Sequence, residues 1–120
     1  PIQLPIGAAE TFKGIIDLIN MRAVYYDEKS LGANFYYDEI PTELIERTHK
    51  YRGILIETLG ENNDQILEKY VEGSDISAEL IKKTIRNMTI DLKLVPVTCG
   101  AAFKNKGVQH LLNSVANYLP

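Results

Sequence analysis

The character of the chain changes at Pro41, and this change constrains the fold more than any other feature of the sequence. Before Pro41, apolar residues stand in short runs rich in β-branched and aromatic side chains, which favour strands. After it, apolar residues recur at helical spacing at Leu44, Tyr51, Leu55 and Leu59. The pattern therefore predicts an α+β fold in which strands come first and helices follow.

The first 40 residues are predicted to form an antiparallel sheet. Residues 12–19 are the strongest candidate strand, and residues 21–26 follow directly after Asn20, which tolerates a tight turn. These two runs predict a hairpin. Shorter apolar or aromatic runs at residues 2–6 and 35–37 predict two further strands.

Three helices are predicted to follow and to cover one face of the sheet. Pro41 suits the first position of a helix that we expect to run to Gly60. A second helix covers residues 63–71 and stops at Gly73, because glycine favours the left-handed conformation found at helix ends. Ser77 is a suitable N-cap for the third.

The end of the chain has a different character, in which a strand precedes a helix. Residues 92–98 form a near-continuous apolar run, which is typical of a strand covered on both faces. Residues 107–118 predict a helix with one apolar face. This strand and helix have the α/β character of a Rossmann-like sheet. We therefore predict two units, residues 1–90 and residues 91–120.

Composition excludes several classes of function. Hydrophobic residues make up 45% of the chain, yet no apolar stretch approaches the about 20 residues that a membrane-spanning helix needs. The net charge of −3 argues against a DNA-binding surface, which requires a basic excess. Cys99 is the only cysteine, so no internal disulfide can form, which fits a cytoplasmic location. We expect neither a membrane nor DNA as a partner.

The motifs of a nucleotide-hydrolysing protein are absent from the sequence. There is no G-x-x-x-x-G-K-[ST] run to cradle phosphates. The guanine-reading pattern N-K-x-D is also missing, because Asn105 and Lys106 are followed by Gly107 and Val108, which lacks the carboxylate. His49, His110 and Cys99 do not have zinc-site spacing, so no metal is expected.

Three isolated side chains need an interpretation. A pair of Cys99 and His110 would suit a small cysteine-dependent hydrolase. We favour instead a buried, unreactive Cys99 at a strand end and an exposed His110 on a helix. Asp17 is the one acidic residue inside a predicted strand, and we expect it to pair with Arg22 or with a turn amide.

An aromatic cluster supports a second alternative function. Its members are Tyr25, Tyr26, Phe35, Tyr36 and Tyr37. Such rings can stack on the bases of single-stranded RNA, as in a freestanding RNA- or protein-binding module. The neighbouring acids Asp27, Asp38 and Glu39 favour cross-strand packing of the rings instead.

Separated runs of the sequence match one known family in the same order, from one end of the chain to the other. The runs are Gln3-Leu4-Pro5-Ile6-Gly7, Phe12-x-Gly14-Ile15-Ile16-Asp17-Leu18 with Met21, Glu68-Lys69-Tyr70 with Gly73, residues 97–109, and Tyr118-Leu119-Pro120. Together they resemble part of elongation factor G, a translational GTPase. The early runs resemble the start of a segment inserted into its GTP-binding domain, and residues 97–109 resemble the end of that domain.

The resemblance implies a place for each unit in a larger protein. Residues 1–90 would be the insertion subdomain, and residues 91–120 the last strand, guanine loop and helix of the GTP-binding domain. The P-loop and N-K-x-D motif of the family lie upstream of this segment. The parent would use GTP and Mg²⁺ to drive translocation on the ribosome. Ala101, Ala102 and Phe103 would form a partial guanine loop, with Ala101 where the family usually has Ser.

The resemblance also implies partners. The family's insertion is associated with the acidic ribosomal stalk protein, near the end of one helix and the start of the next. Glu57, Glu61 and Asp64 occupy the corresponding positions here. A break at Gly60 would prevent them from sharing one helix face, and a solvated helix end is the alternative. The apolar surface of the last strand and helix predicts self-association of the isolated fragment.

We predict that the isolated chain neither hydrolyses GTP nor binds it measurably. Phosphate contacts supply most of the affinity for a nucleotide, and the loop that would make them is absent from this sequence. Isothermal titration calorimetry with GTP and Mg²⁺ should give only heats of dilution, with a complete GTP-binding factor as the positive control. Micromolar binding of GTP by this chain would contradict the prediction.

Overall fold

Four strands precede four helices in the structure, a computed structural model that describes residues 1–7, 12–26, 34–99 and 108–119. The strands are β1 (Gln3–Ile6), β2 (Gly14–Asp17), β3 (Arg22–Tyr26) and β4 (Phe35–Asp38). The helices are α1 (Ile45–Gly60), α2 (Asp64–Glu72), α3 (Ala78–Ile90) and α4 (Val108–Tyr118). The strands form one antiparallel sheet in chain order, which confirms the predicted α+β fold. None of the described helices is long and apolar enough to cross a bilayer.

The predicted hairpin is formed by β2 and β3, with Asp17 opposite Arg22 at its end. The Asp17 carboxylate accepts hydrogen bonds from the backbone N–H groups of Ile19 at 2.9 Å and Asn20 at 3.2 Å. The carboxylate therefore provides acceptors for backbone N–H groups of the turn that form no hydrogen bond between strands, as the sequence predicted. Of the two interpretations offered for Asp17, the turn amides are the contact observed.

The helix ends follow the predicted local signals. The Asn63 side chain accepts a hydrogen bond from the backbone N–H of Ile66 at 3.0 Å and so caps α2. Gly73 ends α2 with a φ of 74°, which a glycine adopts without steric penalty. Ser77 caps α3 by accepting from the N–H of Leu80 at 3.2 Å.

The main core lies between the sheet and helices α1–α3. Ile16 of β2 packs in this layer with Leu59 of α1, Ile66 of α2 and Ile85 of α3, and all four side chains are buried. A short 3-10 turn at Thr42–Leu44 leads from the sheet into α1. The three helices therefore cover one face of the sheet, as predicted.

The opposite face of β2 is buried as well, under a smaller apolar cluster. Successive side chains of a strand point to opposite faces, so Ile15 belongs to this cluster and Ile16 to the main core. The other members are Phe12, Val24 and Tyr26, with Phe35 and Cys99 packed against them. Burial on both faces explains why the adjacent residues Ile15 and Ile16 of β2 are both apolar.

Residues 92–98 do not form the strand that their apolar run predicted. One described backbone hydrogen bond joins this segment to the sheet side, from the N–H of Ile2 to the carbonyl of Val97 at 3.1 Å, and the side chain of Leu94 packs against the main core. Leu92 and Val95 are 91% and 82% exposed. A buried strand needs neighbouring strands on its edges and layers over both faces, and in the described part of the chain no strand pairs with residues 92–98.

Helix α4 is present where it was predicted and contacts α3. A guanidinium nitrogen of Arg86 in α3 donates a hydrogen bond to the carbonyl of Leu119 at 2.7 Å, and Tyr118 reaches the main core. In contrast, Leu111 and Leu112 of the predicted apolar face are about half exposed. The division into residues 1–90 and 91–120 stays a prediction.

Gly14 provides a test of the close approach between β2 and β3. A Cβ at Gly14 would lie 2.3 Å from the carbonyl oxygen of Val24, so the paired strands would have to move apart. We expect Gly14→Ala to lower the free energy of unfolding by about 1–3 kcal/mol, measured by urea denaturation. The control is Gly53→Ala in α1, where the Cβ meets only the Tyr70 hydroxyl at 4.0 Å and should stabilise the helix by about 0.5–1 kcal/mol. Unchanged stability of Gly14→Ala would contradict this account.

Candidate partner-binding site at the junction of α1 and α2

The three acidic residues predicted to bind a partner surround the junction between α1 and α2. Glu57 lies in the last turn of α1, Glu61 follows its end, and Asp64 is the first residue of α2. All three are exposed. We call them the acidic junction. The helix breaks at Gly60, as predicted, so the three carboxylates lie on two helices and not on one continuous helix face.

The break between the helices is held by side-chain hydrogen bonds. Besides capping α2, Asn63 donates a hydrogen bond from its amide to the Thr84 hydroxyl of α3 at 3.2 Å. The Lys93 ammonium donates to the side-chain oxygen of Asn62 at 3.2 Å. A Cβ at Gly60 would lie 3.4 Å from the Cα of Leu67, so the small residue allows the two helices to approach closely. These contacts hold the backbone between α1 and α2 in one conformation.

Tyr70 of α2 bridges the two helices by contacting the acidic junction directly. Its hydroxyl donates a hydrogen bond to a carboxylate oxygen of Glu57 at 3.2 Å. This hydrogen bond and the negative charge of Glu57 raise the pKa of Tyr70, because both favour the protonated phenol. Sequence spacing gave no sign of this contact, since a helix break separates the two residues. Tyr70 is thus a site residue that only the structure reveals.

Exposed apolar side chains lie beside the carboxylates. Leu67 and Val71 are 45% and 77% exposed and lie three and seven residues after Asp64, on the same side of α2. Binding surfaces commonly combine an apolar centre with a charged rim. The acidic junction with Leu67 and Val71 has this composition. Asp64 also lies in the first turn of α2, where the helix dipole favours a negative charge.

The predicted guanine loop and Cys99 are not part of the acidic junction. Ala101, Ala102 and Phe103, the predicted guanine loop, lie outside the described residues. Cys99 is half-buried beside the smaller cluster, and burial raises the pKa of its thiol, which opposes formation of a nucleophilic thiolate. Among the residues that the structure describes, no group of His, Cys, Asp and Glu side chains is arranged to hold a metal ion.

His110 was predicted to be exposed, and this prediction was wrong. Its ring is half-buried, 4.7 Å from the ring centre of Phe35 and 5.9 Å from that of Tyr26. The polar side of α4 that carries His110 faces the sheet, although apolar periodicity assigned that side to solvent. Burial lowers the pKa of His110. His110 and Cys99 make no described hydrogen bond to each other, as a catalytic pair would.

The aromatic cluster packs within and across the strands. Tyr25 stacks on its cross-strand neighbour Tyr36 with ring centres 5.4 Å apart. Phe35 and Tyr37 meet edge to face at 5.7 Å, and the guanidinium of Arg22 lies 3.6 Å above the Tyr37 ring. The predicted cross-strand packing is confirmed, and these rings already have neighbours on the protein.

Comparison with known proteins decides the family. No family model matches the chain. Elongation factor G of Wolbachia pipientis subsp. Culex pipiens (strain wPip) is 49% identical to it over 119 residues, and that of Anaplasma marginale (strain Florida) is 50% identical over 119 residues. The chain belongs to the elongation factor G family. Each match covers 99% of this chain, which spans only 17% of the length of each relative.

A solved structure has the same fold. A crystal structure of a protein from Thermus thermophilus superposes with a TM-score of 0.80 at 28% sequence identity. The match covers 100% of this chain and 18% of the longer one. The α+β arrangement therefore also occurs as a segment of a larger chain. The similarity to elongation factor G, which the separated runs first indicated, extends over 119 residues of the chain.

Proposed function

We propose that the chain is a binding and positioning segment of a cytoplasmic translation factor that promotes GTP-dependent translocation on the ribosome. Residues 1–90 are the insertion subdomain of its GTP-binding domain, and residues 91–120 are the last elements of that domain. The identity of about half with elongation factor G over nearly all of the chain supports this proposal. GTP and Mg²⁺ belong to the complete parent, and this segment contributes no catalysis of its own.

The partner of the acidic junction in this proposal is the ribosomal stalk protein. The observation that carries it is the placement of Glu57, Glu61 and Asp64, all exposed, around the junction of α1 and α2 beside Leu67 and Val71. Although the stalk protein is acidic overall, the part of its surface that would fit the acidic junction has basic side chains around an apolar patch. The carboxylates then pair with the basic rim while the apolar side chains lose contact with water.

Charges at the rim of an interface act mainly on the rate of encounter. They steer two proteins together over a distance set by screening, which is about 10 Å at 0.1 M salt. The acidic junction is exposed, so its pairing energy is small once a complex has formed. We therefore expect it to recruit the factor to the ribosome and to have little influence on the dissociation of the complex.

The two alternative functions receive less support. An RNA-binding module would require free ring faces, whereas Tyr25 stacks on Tyr36 and Arg22 covers Tyr37. A cysteine-dependent hydrolase would require a thiolate with a nearby base, whereas burial raises the pKa of Cys99. A ribosome-contacting segment remains the best-supported function.

Neutralising the acidic junction should slow recruitment. We expect Glu57→Gln, Glu61→Gln and Asp64→Asn together, in the full-length factor, to lower the association rate with ribosomes and ribosome-stimulated GTP turnover. The effect should be largest at low salt and intrinsic GTP binding should not change. The measurement is stopped-flow association at two ionic strengths. The helices should persist, because Gln is as good a helix former as Glu and Asn63 still caps α2.

A matched control separates local pairing from net charge. Glu39→Gln, Glu43→Gln and Glu46→Gln together remove the same charge from exposed positions before and at the start of α1. This control should associate like the wild type. Equal association rates for wild type and the junction variant at low salt would remove these three residues from the interface. If both variants slow association with ribosomes equally, the slowing is due to the net charge of the factor and not to these three positions.

We also propose that the isolated chain self-associates through the apolar surface at its end. A cavity of about 350 Å³ lies between residues 89–98 and α4, lined mainly by apolar side chains such as Val95, Leu111 and Val115. Sedimentation equilibrium should show dimers that dissociate on dilution. Val115→Asn should weaken them, while Val71→Asn, at an exposed position beside the acidic junction, should not. A monomer at all concentrations would contradict this proposal.

A further inference from the structure

A polar cleft of about 210 Å³ lies between the hairpin turn, α3 and α4, apart from the acidic junction. Its polar and charged walls include Asp17, Arg22, Lys82, His110, Asn113 and Asn117. The three residues from α4 recur at spacings of three and four, so they form one polar side of that helix. The sequence patterns drew no attention to this cleft, because its residues come from elements that lie far apart in the chain.

Two residues that line the cleft each carry a buried nitrogen atom without a hydrogen-bond partner among the described residues. These atoms are Nε of Arg22 and Nδ1 of His110. A buried polar group without a partner is destabilising, so such atoms indicate a missing acceptor or donor. Nε of a guanidinium always carries a hydrogen, so the missing partner of Arg22 is an acceptor.

Aromatic rings restrict the orientation of both groups before any ligand binds. The guanidinium of Arg22 lies 3.6 Å above the ring of Tyr37. The His110 ring meets Phe35 and Tyr26 edge to face. Because the two side chains are already oriented, binding of a ligand has a lower entropic cost.

The charges of the cleft favour an anion. Arg22 and Lys82 bring two positive charges, and Asp17 is the one carboxylate among the described lining residues. The Asp17 carboxylate is already engaged by the N–H groups of Ile19 and Asn20 and by the Asn20 side-chain amide at 2.8 Å. The cleft is therefore locally positive in a chain whose net charge is −3.

We propose that this cleft binds a phosphate group, with Arg22 and His110 as hydrogen-bond partners and Lys82 as a further positive charge. A guanidinium presents donors in a planar fork that fits phosphate oxygens. The volume exceeds the about 30 Å³ that one water molecule occupies, so a tetrahedral anion fits together with bridging water. This site is independent of the acidic junction and of the function proposed for it.

The test is a titration of the full 120-residue chain with inorganic phosphate at constant ionic strength, followed by NMR of the His110 ring and the backbone amides. We expect saturable shifts around the cleft. Lys82→Gln should weaken binding roughly tenfold, as loss of a charge-assisted contact does. Lys83→Gln is the matched control, because it removes the same charge from an exposed neighbour in α3 that does not line the cleft.

Further variants and ligands sharpen the result. Arg22→Gln should also weaken binding, and circular dichroism shows whether it folds; if it does not, the comparison of Lys82→Gln with Lys83→Gln decides alone. A parallel titration with glycerol 3-phosphate distinguishes the source of the phosphate group, since tighter binding than inorganic phosphate indicates a phosphomonoester. Shifts that do not saturate, or equal weakening in both lysine variants, would overturn the proposal.

A second readout uses the protonation of His110. The charged groups of the cleft around it are Asp17, Arg22 and Lys82, while Tyr26 and Cys99 nearby are neutral because burial raises their pKa values. A bound anion favours the imidazolium form of His110. Saturating sulfate, which stays doubly charged throughout the pH range in which a histidine titrates, should therefore raise the pKa of His110. Sulfate binding should accordingly strengthen as the pH falls through that pKa. An unchanged pKa of His110 at saturating sulfate would also overturn the proposal.

Discussion

Burial of β2 on both of its faces is the interaction on which the rest of the structure depends. Ile16 packs under α1–α3 and Ile15 under the smaller cluster, and their side chains are 1% and 0% exposed. A strand in this position cannot shift by one residue without exchanging the two faces. It therefore sets the register of the sheet, and Gly14 permits the close approach of β3.

The hairpin turn connects this core to the charged features of the surface. A guanidinium nitrogen of Arg52 in α1 donates hydrogen bonds to the carbonyl oxygens of Leu18 and Ile19. Burial lowers the pKa of Arg52, and Asp17 opposes that shift. The same turn presents Asp17 to the polar cleft. The middle of α1 thus contacts the turn that forms one wall of the cleft, and the C-terminal end of α1 carries part of the acidic junction.

Prediction from sequence succeeded where the determinant is local and failed where it is not. Asn63, Gly73 and Ser77 end or begin helices through contacts within a few residues, and the sequence shows these directly. Residues 92–98 have the composition of a buried strand, but pairing requires partners that no local pattern supplies. His110 was misplaced because periodicity assumes that the apolar side of a helix faces the protein core.

The sequence by itself determined the order of strands and helices, the helix ends and the family, because periodicity, capping residues and collinear matches are properties of the linear chain. Tertiary structure alone decided which side of α4 faces the sheet, how Tyr70 meets Glu57, and that Arg22 and His110 line one cavity. These contacts join residues far apart in the chain. Their partners depend on how the elements pack, and packing follows from the three-dimensional fit of side chains that no single segment encodes.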